Sequence, residues 1–384
     1  MAETDQAGAG EGARGPAPAS QGARWGWPRG RAPTYAALDL GTNNCRLLVA
    51  RPVLDDPARN GQSGASHGAF RIVDSFSRIV RLGEGLSQTG RLNEAAIERS
   101  IDALEVCRDK MINRGVTRAR LIATEACRAA ENGDEFIARV RQRTGLDIEI
   151  VDRETEAHLA AAGCASLADS DAEGVVLFDI GGGSSEVVWL GRDPRGGNGQ
   201  ARHKPHDVRQ RVRVWASLQL GVVSLAEKFG GLHVTAETFE AMANHVANEL
   251  RHFAERAGLQ QKCGRFHLLG TSGTVTTLAG VHLGLPRYDR RRVDGLWMSD
   301  EEVSTAMERL RAMTYEDRVN NGCIGPERAD LVLAGCAILE AIRRSFPSKR
   351  IRIADRGLRE GILMQLMSAD RAWRGAARPP RSPA

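Results

Sequence analysis

Two segments 140 residues apart run from apolar residues into an Asp-x-Gly and out into apolar residues again: Leu38-Asp39-Leu40-Gly41-Thr42-Asn43-Asn44 and Phe178-Asp179-Ile180-Gly181-Gly182-Gly183-Ser184-Ser185. The apolar flanks, Tyr35 to Leu40 with Cys45 to Ala50 and Val175 to Ile180 with Val187 to Leu190, predict two β-hairpins with polar tips. A turn of Gly, Ser, Thr and Asn exposes N–H groups and hydroxyls that cradle phosphate oxygens, and an adjacent Asp can hold a hydrated divalent cation against the same phosphate. One such hairpin is ordinary turn chemistry. Two in register, with Asp39 on Asp179, Gly41 on Gly181 and Arg46 on Glu186, imply a duplication that sets two similar domains around a cleft. A third run, Gly270-Thr271-Ser272-Gly273-Thr274, follows a strand-like stretch and opens a helix-like one, and helix N-termini attract anions.

The chain of 384 residues is long enough for two cores, and 42% hydrophobic with 26% charged residues is ordinary globular composition. The apolar stretch Leu331 to Leu339 is far too short to cross a bilayer and predicts a buried helix, and the N-terminus has neither the basic start nor the apolar run of a secretory signal. No membrane association is expected. Seven scattered cysteines (Cys45, Cys107, Cys127, Cys164, Cys263, Cys323 and Cys336), with no Cys-x-x-Cys, suit reduced thiols in the cytoplasm better than disulfides or zinc. Residues 1–33, rich in Gly, Ala, Pro and Arg, are expected to be a disordered arm, and 371–384 a disordered tail. Arg192 to Arg213 reads as a loop inserted in a hairpin. Its seven Arg or Lys against two Asp match the whole chain's net charge of +5, so the basic balance points to no specific nucleic-acid face.

The periodicity predicts helices near Glu94–Arg114, Asp134–Arg143, Glu154–Leu167, Thr235–Ala257 and Gly325–Ser345. Strands are expected near Arg120–Ala123, Asp147–Val151, Glu186–Leu190 and Val212–Leu218, so the fold class is α/β, with mixed sheets flanked by helices.

The two hairpin motifs, with Ala123-Thr124-Glu125-Ala126-Cys127-Arg128, Glu154-Thr155-Glu156-Ala157, Gly270-Thr271-Ser272-Gly273-Thr274 and Asp355-Arg356-Gly357-Leu358-Arg359-Glu360-Gly361, resemble in order and spacing the exopolyphosphatase/guanosine pentaphosphatase (Ppx/GppA) phosphohydrolases of the actin, sugar-kinase and heat-shock-ATPase superfamily. The resemblance covers roughly residues 35 to 367. It departs where the family usually shows Ser-Gly-x-Glu-Glu-Ala and this chain has Asp152-Arg153-Glu154-Thr155-Glu156-Ala157.

The resemblance implies two actin-like (ribonuclease H-like) domains, 34–166 and 167–356, with an active-site cleft between them and a C-terminal helix at 357–370 packing back on the first. It implies release of terminal orthophosphate from inorganic polyphosphate, or of the 5′ γ-phosphate from guanosine pentaphosphate, with Mg²⁺ or Mn²⁺. A homodimer is also in keeping with the family. Glu156 matches the general base; without the resemblance it reads as a first-turn glutamate favoured by the helix dipole. Asp39 and Asp179 are the metal candidates, and Glu186 a second acid or metal ligand. Gly41, Thr42, Asn43 and Asn44, with Gly181, Gly182, Gly183, Ser184 and Ser185, form the phosphate cradle, joined by Gly270, Thr271 and Ser272. Arg46 and Arg128 are either partners of phosphate oxygens or structural arginines. A sugar kinase or ATPase of the same superfamily, or a non-catalytic sensor of polyphosphate or alarmone, are the alternatives.

Overall fold

The computed structural model of the protein describes residues 33–53, 70–192, 207–258 and 266–373. In the first lobe the chain runs β1 (Tyr35–Leu40), β2 (Asn44–Pro52), β3 (Phe70–Ile79), α1 (Leu86–Thr89), α2 (Glu94–Asn113), β4 (Arg118–Ala123), α3 (Glu125–Ala129), α4 (Gly133–Thr144), β5 (Glu149–Ile150) and α5 (Arg153–Cys164). The second lobe follows as β6 (Gly174–Ile180), β7 (Ser185–Gly191), α6 (Asp207–Arg211), β8 (Val212–Leu218), α7 (Val222–Phe229), α8 (Ala236–Ala257), β9 (Phe266–Thr271) and α9 (Gly273–His282). It closes with α10 (Arg290–Val293), β10 (Trp297–Ser299), α11 (Asp300–Ala312), α12 (Tyr315–Asn320), α13 (Val332–Ser345), β11 (Arg350–Ala354) and α14 (Leu358–Ala369).

The duplication seen in the motifs extends to topology. One sheet is ordered β3-β2-β1-β4-β5; the other, β8-β7-β6-β9-β11-β10, repeats that order and adds β10. In both, the hairpin strands pair antiparallel and the next neighbours pair parallel. The two mixed α/β sheets flanked by helices are those expected from the sequence.

Central strands are apolar on both faces because helices cover both. In β1, Ala36, Leu38 and Leu40 pack towards α2 and α4, while Tyr35 and Ala37 meet α14. In β6, Val176, Phe178 and Ile180 join the large core under α8, α9 and α13, and Val175 and Leu177 meet α5.

Helices α5 and α14 exchange sheets. Following the first sheet in the chain, α5 buries Ala157, Ala161 and Cys164 against the second; following the second, α14 buries Leu358, Ile362 and Met367 against the first. They cross backbone to backbone. A Cβ on Gly163 would stand 1.9 Å from the Gly357 carbonyl oxygen, and one on Gly361 2.0 Å from that of Leu159. The run Ala160-Ala161-Ala162-Gly163 is what permits the approach.

Two expectations are corrected. The helix expected from Gly325 begins only at Val332, because Gly325 takes φ +77° and the chain turns until it reaches the continuous apolar run. The stretch expected to be loop through Arg213 is helical over Asp207–Arg211, with Val208 and Arg211 buried, while the strand expected over Val212–Leu218 is present as β8. Five residues are too few for a periodic signal. The rest of that stretch, 193–206, lies outside the described residues, as do the expected terminal arm through 32, the tail from 374, and Cys263. The other six cysteines are free and buried, and no described helix is long and apolar enough to cross a membrane.

The helix crossing reverses the usual sign of a Gly-to-Ala change. In an exposed helix Ala gains about 0.5–1 kcal/mol over Gly, whereas Gly361→Ala here should cost on the order of 1–3 kcal/mol through the clash with Leu159. Urea unfolding measures it; a variant as stable as the parent would contradict the close approach.

Candidate active site

The two hairpins place their chemistry identically. Gly41 N–H donates to the Asn44 carbonyl at 2.9 Å, and Gly181 N–H to that of Ser184 at 3.0 Å. Asp39 then pairs across the ladder with Arg46, and Asp179 with Glu186. The duplicated frame thus carries opposite charges at equivalent positions.

The tips meet. A Cβ on Gly183 would lie 2.6 Å from Thr42 Oγ1, and one on Gly182 3.1 Å from the Asn43 nitrogen, so only glycine allows the second tip to sit on the first. Each tip's carbonyls are tied to its own lobe. Asn43 O accepts from Val80 N (2.9 Å) and Arg81 N (3.1 Å), Thr42 O from Gly83 N (2.9 Å), Gly181 O from Val222 N (3.0 Å) and Gly182 O from Val223 N (2.8 Å). In a trans peptide the next N–H points opposite the carbonyl, so those of Asn43, Gly182 and Gly183 are turned the other way, an arrangement of the kind that can receive an anion.

Beneath the tips lies a cavity of about 770 Å³. It is lined by Asp39, Gly41, Thr42, Asn43, Asn44, Arg46, Glu156, Asp179, Gly181, Gly182, Gly183, Ser184, Glu186, Thr271 and Ser272, which is most of the site expected from the sequence. Ser272 has φ +81° at the entry to α9. Three expected residues stand back from the lining. Gly270 packs in β9 against the Phe178 ring, and Ser185 is fully buried with an unpartnered Oγ. Arg128 lies behind Glu156, donating Nη2 to its Oε2 at 3.0 Å and Nη1 to the Val151 carbonyl at 2.6 Å. Its observed partners are protein groups, the structural alternative for this arginine.

Glu156 sits in the first turn of α5, whose N-cap Asp152 accepts from Thr155 N at 2.6 Å. Asp152 therefore still caps the helix, despite the departure of this stretch from the family pattern. Burial pushes the Glu156 carboxyl up to about 7 against the pull of Arg128, and Asp39 and Asp179 push it the same way. Asp179 rises to about 6, mainly by burial, and Asp39 is raised for the same reason. Glu186 is driven well upward by burial and by Glu156 and Asp179; Ser217 Oγ donates to its Oε1 at 2.9 Å. Arg46 is the cation that opposes the rise at both Asp39 and Asp179.

An Mg²⁺-type site is compatible with these residues. Asp39 and Asp179 supply two carboxylates beside the cradle, and the buried Oδ1 of Asn44 is an acceptor without a partner. Among the described residues, no three Asp, Glu, His or Cys side chains converge closely enough to hold an ion alone.

The Asp355–Gly361 motif, to which the sequence alone assigns no role, forms part of the cavity wall. In the structure Arg356, Arg359 and Glu360 line the cavity with Tyr288, Arg290 and Arg328. Tyr288 donates to Asp355 at 2.7 Å, and Arg290 to Glu360 at 3.0 Å. Arg359 faces Asp39 and Arg46. The signal for Arg359 was present in its motif; Arg290 and Arg328 come from segments without one.

The family model of the Ppx/GppA phosphatase family matches residues 62–370. Exopolyphosphatase 2 of Mycobacterium tuberculosis is 27% identical over 344 residues, covering 86% of this chain and 98% of that protein. The guanosine-5′-triphosphate,3′-diphosphate pyrophosphatase of Photobacterium profundum is 28% identical over 343 residues, covering 88% of this chain but only 60% of that longer protein. A solved Ppx/GppA family member from Aquifex aeolicus is 27% identical with TM-score 0.66, covering 88% of this chain and 99% of that one. An exopolyphosphatase structure from Cytophaga hutchinsonii, 21% identical, has TM-score 0.73 over 88% of this chain and 98% of that one, which shows a shared fold. The fold is the two-domain actin-like one.

The buried carboxylates make stability pH-dependent. Raised from ordinary values of 4.5 and 3.8 to about 7 and about 6, Glu156 and Asp179 bind more protons folded than unfolded. Their contribution is full below pH ~4 and is lost as pH rises through 6 to 7. Asp74, lowered to about 2 by Arg114 and Lys110, contributes constantly above its unfolded value and does not interfere in this window. In metal-free buffer the urea midpoint should fall from pH 5 to pH 8, and Glu156→Gln should flatten the fall. A midpoint that rises over this range would contradict the assignment.

Proposed function

The chain belongs to the Ppx/GppA phosphatase family, and from that premise we propose that it is a cytoplasmic phosphohydrolase. It removes terminal orthophosphate from inorganic polyphosphate, the 5′ γ-phosphate from guanosine pentaphosphate, or both. The observation that carries this reading is the contact of two glycine-rich tips over buried Asp39 and Asp179, with Glu156 on the same cavity.

Phosphoanhydride hydrolysis requires an aimed water, a base, charge neutralisation and exclusion of stray solvent. The turned N–H groups of Asn43, Gly182 and Gly183, with Arg46 and Arg359, hold the oxygens of the terminal phosphate. Glu156 takes the proton of the attacking water; its raised value near 7 makes it a competent base at neutral pH without making it inert as a proton donor afterwards. Glu186, whose carboxyl burial drives upward, faces the same cavity from the second hairpin. Mg²⁺ or Mn²⁺, held by Asp39 and Asp179, supplies the neutralising charge when bound. The contact between the tips shields the reacting phosphate from bulk water.

Phosphate release from long polyphosphate, tripolyphosphate, guanosine pentaphosphate and ATP, measured side by side, tests the reading. Release from one of the first three is expected; transfer from ATP to a sugar without release from them would overturn it. Glu156→Gln should lower kcat on the order of 10²- to 10⁴-fold with nearly unchanged KM. Asp39→Asn and Asp179→Asn should each raise the Mg²⁺ concentration needed for half-maximal activity, and an unchanged metal dependence in both would remove them from that role.

A further inference from the structure

Each tip is held from behind by a segment of its own lobe that also sends a side chain across to the other lobe. Behind the first tip, Val80 and Arg81 donate their N–H groups to Asn43 O, and Gly83 donates to Thr42 O. The Arg81 guanidinium then crosses to the second lobe, where Nη2 donates to Asp330 Oδ1 at 3.2 Å and to the Glu327 carbonyl at 3.3 Å. Behind the second tip, Val222 and Val223 at the start of α7 donate to Gly181 O and Gly182 O. Glu227, on the same helix, crosses back to the first lobe, its Oε1 accepting from Gly85 N at 2.9 Å and its Oε2 from Ser87 Oγ. The chain after α7 is locked to the Asp330 segment, since a Cβ on Gly231 would stand 2.1 Å from the Asp330 carbonyl oxygen. At the α5–α14 crossing the lobes meet by backbone packing. At this end polar contacts bridge a cavity of about 220 Å³, lined by Asn43, Arg81, Val223, Glu227, Asp330 and Leu331.

We propose that Arg81 and Glu227 are positioning residues, a reciprocal clasp that keeps the two tips in register before the terminal phosphate arrives. The cradle draws its donors from both lobes, so a chain whose tips have parted offers only half of it. Apparent affinity then falls with the fraction of chains that hold the tips together. The catalytic cavity reaches the surface at Ser75, Ser77 and Gly322, none of which lines the cavity behind the tips. Substrate therefore has an entry that does not require the clasp to open. Once it is bound in a closed chain, the reacting groups stand as before. The clasp acts on KM, not on the chemical step. Arg81 takes φ +48°, an uncommon conformation for a residue with a side chain, and it is the residue whose backbone holds one lobe and whose guanidinium holds the other.

This inference rests on the phosphohydrolase reading, and the test separates the two. In the full-length chain, KM and kcat for tripolyphosphate with Mg²⁺ are measured in the parent, Asp330→Asn, Arg81→Asn, Arg81→Asn/Asp330→Asn, Arg81→Lys and Glu227→Ala. Asparagine tolerates the left-handed backbone at position 81 and is too short to reach Asp330. Asp330→Asn, Arg81→Asn and Glu227→Ala should each raise KM about fivefold, the upper range for one partly exposed ionic contact. The double variant, which loses the same pair, should also stay near about fivefold and not reach the product of its parts. Arg81→Lys, which keeps the charge, should move KM less. In the ligand-free chain, amide exchange of segments 41–44 and 181–184 should quicken in Asp330→Asn and Glu227→Ala. Parent-like KM in both of these variants, a loss confined to kcat, multiplying effects in the double variant, or unchanged exchange overturns the inference. If Arg81→Asn fails to fold, the isosteric Asp330→Asn and Glu227→Ala decide it. A parent that releases no phosphate from tripolyphosphate or guanosine pentaphosphate means that the functional reading has failed instead, and the exchange comparison then decides the clasp.

Discussion

The site depends on one backbone contact, the crossing of α5 and α14 at Gly163 and Gly361. Each helix follows one sheet in the chain and packs on the other, so the crossing joins the lobes where their functional residues emerge. Glu156 leaves the first turn of α5, and Arg359 and Glu360 leave the first turn of α14. A side chain at either glycine would separate the helices by more than an ångström and displace these groups together. Arg356 reinforces the arrangement through its carbonyl, which accepts from Thr271 Oγ1 at 2.6 Å and Cys164 Sγ at 3.0 Å, tying β9 and α5 to the start of α14.

Held in that frame is an excess of buried acid. Asp39, Asp179, Glu156 and Glu186 line one cavity, and burial raises all four. Such a cluster cannot ionise fully without imported positive charge. Arg46 provides some for the aspartates and Arg128 some for Glu156. The remaining deficit makes a cation-assisted reaction on an anionic substrate a physically consistent use of the site, and it ties stability, ionisation and ligand binding to the same four groups.

The two hairpins were legible because their apolar flanks and short glycine-rich turns are adjacent in the chain, whereas the cross-strand pairing of Asp39 with Arg46 and of Asp179 with Glu186 emerged only with the ladders. The boundaries of α2 and α8 fell within a residue or two of their periodic patterns. Elements without a local pattern were not legible. The five-residue α6 is too short to show a period, and the turns before α13 hide inside an otherwise helical composition until Gly325 adopts its left-handed conformation.

The sequence by itself determined the duplicated hairpins, the residues that face the cavity from their tips, and the family, since each is carried by residues adjacent in the chain. Tertiary structure alone decided which groups share charge. Arg128 is 28 residues from Glu156, Arg290 is 70 from Glu360, and Arg359 is more than 300 from Asp39. Only the packing of α3, α5, α10 and α14 with β1 around one cavity brings these groups within reach. The ionisation of a buried carboxylate depends on the neighbours that replace its water, and those neighbours belong to the fold rather than to the local sequence.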